Sequence, residues 1–302
     1  MKVLIVCSGN NKNISPFIEE QAESLRKNGV ELDFFLIRKG GFLGYLRNLK
    51  KLKLKIISFQ PDLVHAHYGL SGMLAVLQRK IPTVITFHGS DINNPKIRII
   101  SRIAMYLAKE NIFVSEKLFK KSKLTKGHII PCGVDFEIFF PIEQNQARNV
   151  LKLSLTKKYI LFSSCFQNKD KNAALAIKAV SLLEDSNVEL IELINFSRKE
   201  VNLLLNAVNV AILTSENEGS PQFIKEALAC NCPIVATDVG DIKANVQNVD
   251  ATYLTSFEAA DVAAKLILAL GDGKNNGREK IKEFELNNIS LSLISVYQKT
   301  MN

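Results

Sequence analysis

Residues 207–241 read AVNVAILTSENEGSPQFIKEALACNCPIVATDVGD. Positions 210–213 and 234–236 are short apolar runs of strand type. Between them Ser220 and Pro221 start a helix, with a hydroxyl N-cap and proline at the first helical position. Asn231 stops it, asparagine being second only to glycine at the left-handed position after a helix. The unit is strand, loop, helix, strand, with both strands buried and parallel. Glu218 therefore stands at the carboxyl end of a strand, where open α/β sheets bind ligands. Glu226 follows about two turns into the helix.

The same alternation runs outward in both directions. The first half carries strand patterns at 3–6, 32–36, 63–64, 83–86, 112–114 and 128–130, separated by helical stretches near 15–28, 42–58, 70–79, 96–109 and 115–122. A second series begins at 159–162 and continues through 188–191, 210–213, 234–236 and 252–254. Strands alternating with helices predict parallel sheets covered on both faces. At 302 residues the chain has the length of two domains of roughly 150 residues. The joint is expected within 140–155, dividing the chain into domains over 1–145 and 146–286, with a last helix at 287–302 returning to the first. The segment 271–277, GDGKNNG, reads as a flexible link. No internal repeat or low-complexity segment is present.

Bulk composition narrows the function classes. Apolar residues make up 47% of the chain, enough for sizeable cores, and no apolar run reaches the ~18 residues of a membrane span. The start, MKVLIVCSGN, is too short and polar for a signal peptide, so a soluble, cytoplasmic protein is expected. The five cysteines (Cys7, Cys132, Cys165, Cys230 and Cys232) are scattered and odd in number, which argues against a disulfide framework. Cys230-x-Cys232 reads as a helix end running into a strand rather than as half a metal site. A net charge of +9 suits an anionic partner.

One segment stands out by charge. Arg38, Lys39, Arg47, Lys50, Lys51, Lys53 and Lys55 occur in RKGGFLGYLRNLKKLKLKIIS with no acid among them, and Leu43, Leu46 and Leu49 follow helical spacing. Two readings stand side by side: a basic amphipathic helix over 38–58 at an anionic membrane surface, and a helix packed on the sheet with a solvated basic face.

The common nucleotide fingerprints are missing. No G-x-G-x-x-G follows the first strand and no G-x-x-x-x-G-K-[ST] occurs. Gly9 can still admit a ligand close to the backbone, with Asn10 and Asn11 tolerating unusual dihedrals. His65-Ala-His67 sets two imidazoles on one strand face, but zinc needs a third ligand, and His88 is the nearest candidate. No metal site is expected.

Taken in order, PDLVHAHYGLSG (61–72), VITFHGSDIN (84–93), FVS (113–115), IIPCGVD (129–135), KN (171–172) and the stretch 207–241 resemble the retaining glycosyltransferases of family 4. The specific part is Glu218 and Glu226 with seven residues between them, Gly-Ser-Pro inside the spacing and Ala-Cys-x-x-Pro after it. The resemblance implies a GT-B fold: α/β, two Rossmann-like domains with parallel sheets facing across a cleft. It implies a nucleotide-sugar donor held by Gly9, Lys171, Gly219, Ser220, Pro221 and Glu226, with Glu226 on the ribose diol and Glu218 on the sugar hydroxyls. Lys171 resembles the phosphate-binding lysine, with Lys169 as the competing assignment. His88 resembles the active-site histidine, giving His88 and Glu218 the catalytic roles, and His67, Asp91 and Ser115 fall on the acceptor side.

The resemblance further implies hexose transfer, with retention, from a UDP-sugar, or next a GDP-mannose donor, to a surface glycan, lipid-linked in some relatives. No cofactor, metal or nucleic acid is expected, and a lipid-linked acceptor would suit the reading of the basic helix as a peripheral contact with the inner face of the cell membrane. Three departures stand out: no arginine near Cys165, Gly240-Asp241 in place of Gly-Gly, and a second domain shortened after 188–191. Two alternatives stay open. One is an inactive nucleotide-sugar-binding partner subunit; the other is a GT-B nucleotide-sugar epimerase, which would need no acceptor.

Overall fold

The computed structural model describes residues 1–9, 14–38 and 42–301, the side chains of 42–46 excepted. Asn10, Asn11, Lys39 and the side chains of Leu43 and Leu46 therefore lie outside the described residues. The chain divides into two compact units, Met1–Gly133 with Leu286–Asn302, and Val134–Glu285.

The first unit begins β1 (Lys2–Ser8), α1 (Pro16–Lys27), β2 (Glu31–Ile37), α2 (Phe42–Phe59), β3 (Leu63–His67), α3 (Gly69–Val76), β4 (Thr83–Phe87) and α4 (Ser90–Asn93). It continues with α5 (Pro95–Leu107), β5 (Glu110–Phe113), α6 (Glu116–Ser122) and β6 (His128–Ile129), and regains the chain's last helix, α14 (Leu286–Met301). The sheet is parallel in the order β2-β1-β3-β4-β5-β6. Successive strand residues point to opposite faces, and both faces are covered. Leu4, Val6, Val64, Ala66, Ile85 and Phe87 pack under the layer that includes α2, α3, α5 and α6. On the other face Val3, Leu63, Val84 and Ile112 meet Ile289, Leu293, Val296 and Tyr297 of α14, and Ile5 and Cys7 meet Ile18 and Ala22 of α1.

The second unit contains α7 (Gln144–Leu151), β7 (Lys158–Phe162), α8 (Ala173–Ser181), β8 (Val188–Glu192), α9 (Arg198–Ala207), β9 (Val210–Leu213) and α10 (Gln222–Ala229). It ends with β10 (Ile234–Thr237), α11 (Ile242–Val246), β11 (Thr252–Thr255), α12 (Ala259–Gly271) and α13 (Gly277–Lys280). Its parallel sheet has the order β11-β10-β9-β7-β8. Tyr159, Leu161, Ala211 and Leu213 pack against α9, α10 and α11, while Ile160, Phe162, Val210 and Ile212 pack against α8 and α12.

Strand order locates the crevices. In the first unit the direction of winding reverses between β1 and β3, and in the second between β7 and β9. Connections leaving two such strands diverge to opposite faces and open a gap at their carboxyl ends. Gly9 and His67 stand at the first gap, Lys171 and Glu218 at the second.

Three expectations are corrected. Residues 134–145 belong to the second unit rather than the first. Arg278 donates to the carbonyls of Phe136 and Phe139, while Asn202 and Asn206 accept from the amides of Phe140 (3.2 Å) and Ile142 (2.7 Å). The segment 271–277 is tied down rather than a free link: Asn275 is buried, its amide donates to the Asn231 carbonyl at 2.9 Å, and its side chain donates to the Cys232 carbonyl. Ser220 is not a helix cap, because α10 starts two residues later and its N-cap is Pro221. Asn231 does adopt the left-handed conformation, with φ of 55°. No helix among the described residues is long and apolar enough to cross a membrane.

Candidate functional site

The second unit holds the carboxylate pair. β9 ends at Leu213, and the loop 214–221 carries Glu218 before α10 begins. Lys171 closes a 3-10 turn, Lys169–Lys171, just after β7. Thr214 ties the two loops together, its hydroxyl lying 3.0 Å from the carbonyls of both Lys171 and Asn172. The Lys171 ammonium is thereby set against the Glu218 carboxylate, with which it forms an ion pair. Lys169 is exposed, and of the two candidates Lys171 is the one that meets Glu218. A carboxylate and an ammonium in contact at a switch point can accept hydroxyl hydrogens and neutralise phosphate oxygens respectively.

Glu226 is almost fully buried, and the Arg198 guanidinium donates to its Oε1 at 2.6 Å. Arg198 opens α9 behind a Ser197–Glu200 capping box and lies 4.6 Å from the centroid of the Phe139 ring. Glu226 thus has a fixed cationic partner. Its chain neighbour Lys225 would point to solvent on an exposed helix face.

Lys225 instead turns inward. It is fully buried, and its ammonium donates to Ser220 Oγ at 2.6 Å, while that hydroxyl donates to Asp241 Oδ2 at 2.6 Å. The relay Lys225–Ser220–Asp241 fixes the loop that carries Glu218 and Gly219. Gly240 completes it with φ of +61°, and a side chain there would come within 2.8 Å of the Gly219 carbonyl oxygen. Asp241, the departure from Gly-Gly, is therefore a structural anchor. Gly219, Ser220 and Pro221 are all buried in this packing, with the Ser220 hydroxyl committed to the relay.

The first unit holds a chain of imidazoles. His67 Nδ1 lies 3.0 Å from His88 Nε2, and Cys132 Sγ lies 3.6 Å from His88 Nδ1. Phe17 and Tyr68 flank the His88 ring at 5.1 and 4.5 Å between centroids. Asp91 is buried below, where its two oxygens accept from the amides of Gly69 (3.2 Å), His88 (3.2 Å) and Gly89 (2.9 Å). Burial pushes the Asp91 carboxyl up to about 6 against the pull of those amides. Burial drives the His67 imidazole down to about 3, so it stays neutral.

Asp91 therefore positions the His88 backbone and offers no oxygen outward. Ser115 is the buried N-cap of α6, its hydroxyl accepting from Leu118 N. Gly9 bonds Ile37 O, and a side chain on it would meet Leu36 Cβ at 2.8 Å. His65 sits between Tyr297 OH at 2.6 Å and Thr86 Oγ1 at 2.7 Å, so both its nitrogens are engaged within the fold. Among the described residues no group of three or more His, Cys, Asp or Glu could hold a metal ion.

Sequence reasoning missed Arg198, Lys225 and Cys132. The Ser197–Glu200 capping box is legible as a helix start, but nothing in it aims an arginine at Glu226. Asp241 was visible only as a departure.

Comparison with known proteins agrees with this layout. A model described as Glycosyltransferase Family 4 matches residues 14–138, and one described as Glycosyl transferases group 1 matches 171–272. The chain is 27% identical over 213 residues to a putative teichuronic acid biosynthesis glycosyltransferase, TuaC, of Bacillus subtilis, covering 60% of this chain and 54% of that protein. It is 24% identical over 293 residues to an uncharacterized glycosyltransferase of Methanocaldococcus jannaschii, covering 87% and 83%. The chain thus spans about half the length of the first relative and most of the second. Among solved structures, sucrose-phosphate synthase from Thermosynechococcus elongatus superposes with a TM-score of 0.85 at 17% identity, over 99% of this chain and 98% of that one. Anabaena Alr3699/HepE in complex with UDP and glucose gives 0.78 at 17% identity, over 99% of each. The two matched models, the two parallel-sheet units and the carboxylate pair at a switch point place this chain in family 4 of the glycosyltransferases, with the GT-B fold.

Proposed function

We propose that the protein transfers a hexose with retention from a nucleoside-diphosphate sugar, a UDP-sugar before GDP-mannose, to a glycan acceptor. The observation that carries the reading is the Lys171–Glu218 ion pair at the switch point, with Glu226 buried in the helix that follows. In this reading Glu218 takes the donor sugar's hydroxyls and Glu226 the ribose diol, each a carboxylate matched to O–H donors. Lys171 neutralises the diphosphate as the bond from sugar C1 to phosphate oxygen breaks. The acceptor oxygen bonds to C1 on the face the phosphate leaves, and its proton passes to the departing phosphate oxygen. No covalent nucleophile and no metal is required. His88, whose backbone amide donates to Asp91, is the residue to which the family resemblance assigns a part in transfer. The UDP and UDP-glucose complexes of Alr3699/HepE support the choice of donor by analogy.

The test is nucleotide release from a panel of UDP- and GDP-sugars, with glycan and lipid-linked acceptors, for the parent and His88→Ala. Acceptor-dependent release of one nucleotide, lost in the variant while donor binding persists, is expected. A new sugar formed without acceptor would replace transfer by epimerisation. Binding without any turnover would make the chain a partner subunit.

A further inference from the structure

α5 carries two apolar faces where a helix covering a sheet needs one. Its inner stripe, Ser101, Ala104 and Met105, is buried. At 3.6 residues per turn, Ile99, Ile103 and Tyr106 share the opposite face, with Ile100 and Leu107 beside them. All five are exposed, Ile99 at 66% and Tyr106 at 77%. Residues 95–109 contain Lys96, Arg98, Arg102 and Lys109 and no acid. Arg98 and Arg102 border the outer apolar face on one side, with Lys96 at its start.

We propose that α5 docks the first unit on an anionic lipid surface. An aliphatic stripe with a tyrosine, flanked by long cationic side chains, suits the boundary between acyl chains and acidic headgroups, where the stems lie along the apolar layer and the charges reach phosphate. An antiparallel second copy is disfavoured by charge, since a twofold axis across the helix would bring the Arg98 and Arg102 flank against the same flank of its partner. α2 carries a second patch of this kind. It lies in the same layer and, like α5, packs on α3. Leu54 and Ile57 are exposed beside Lys50, Lys51 and Lys53, while Leu52 and Ile56 face the core. The described part of the basic run read from the sequence, Lys50 to Ile57, thus combines exposed apolar and basic side chains as α5 does. The inference does not rest on the donor or acceptor proposed above, because vesicle binding is read without turnover.

The experiment is co-sedimentation of the full chain with vesicles of phosphatidylcholine alone or mixed with phosphatidylglycerol. Binding to the mixed vesicles only is expected, falling steeply between about 0.1 M and about 0.5 M salt. Ile99→Glu with Ile103→Glu should lower partitioning at least ten-fold (roughly, on lost apolar burial). Arg98→Ser with Arg102→Ser should lower it about twenty-five-fold, near five-fold for each charge. Leu291→Glu, exposed on α14 at the opposite sheet face, should leave it unchanged. Circular dichroism confirms that each variant is folded. Equal binding to both vesicle types, no binding, full binding by both paired variants, or a parent dimer dissolved by the isoleucine changes would each overturn the proposal.

Discussion

Ser220→Ala removes a single oxygen, yet that oxygen joins a fully buried ammonium to a carboxylate. The parent hydroxyl accepts from Lys225 Nζ and donates to Asp241 Oδ2, both at 2.6 Å. Hydrogen bonds to charged groups contribute about 1.5–3 kcal/mol each. Two would give roughly 3–6 kcal/mol; Asp241 is half-buried, so water can repair part of the loss, and about 2–4 kcal/mol is the working figure. For a unit of this size that is a fall in Tm of roughly 5–15 °C. Urea denaturation and thermal melts of parent, Ser220→Ala and Ser220→Thr measure it directly. The threonine keeps the hydroxyl and should recover most of the loss. Because the relay fixes the loop bearing Glu218, UDP affinity should fall in the alanine variant as well. A Ser220→Ala protein within about 0.5 kcal/mol of the parent would behave like an ordinary surface substitution and refute the relay.

Two further outcomes follow from the same geometry. His67 is held neutral with its pKa near 3 against 6.5 for the free side chain, so only the unfolded chain takes up that proton between these values. Its contribution is therefore present above pH 6.5 and lost as pH falls through that window. Between pH 7 and pH 5 the parent should lose about 2 kcal/mol more stability than His67→Gln, read by urea titrations at both pH values. Asp91 acts in the opposite sense, since burial raises its pKa from 3.8 to about 6 and its contribution is lost as pH rises through that range, identically in both proteins. Equal pH slopes would sink the assignment. Lys171→Met should lower kcat by about 100-fold or more with the fold intact, as expected when a group stabilising a developing charge is removed. An unchanged kcat would leave Lys171 a structural partner of Glu218 alone.

Much of this was legible in the sequence, and for reasons that differ by residue. Each of the eleven strands among the described residues falls on a run read from the sequence, because the central strands are covered on both faces and carry mostly apolar residues. Glu218 and Glu226 are legible from their spacing around Gly-Ser-Pro. The partners that hold them are not. Arg198 reaches Glu226 from another helix, 28 positions earlier. Ser220 has the residue type and position of a helix cap, but Lys225 and Asp241 outbid the backbone for its hydroxyl. The joint was read from Phe140-Pro141 onward, whereas Arg278, far along the chain, fixes Phe136 and Phe139 to the second unit. α5 showed its helical period, but whether its outer isoleucines were covered depended on packing that no local pattern encodes.

The central claim is that the Glu218 and Glu226 loop-and-helix unit holds a nucleotide, with the buried carboxylate of Glu226 on the ribose. Calorimetric titration of UDP into parent and Glu226→Gln tests it most directly. The amide keeps the size of the side chain and an oxygen for Arg198 while removing the charge, and circular dichroism checks that the variant is folded. A loss of about 1.5–3 kcal/mol in binding, roughly 10- to 150-fold in Kd, is expected. Affinity in the variant within two-fold of the parent (about 0.4 kcal/mol) would contradict it.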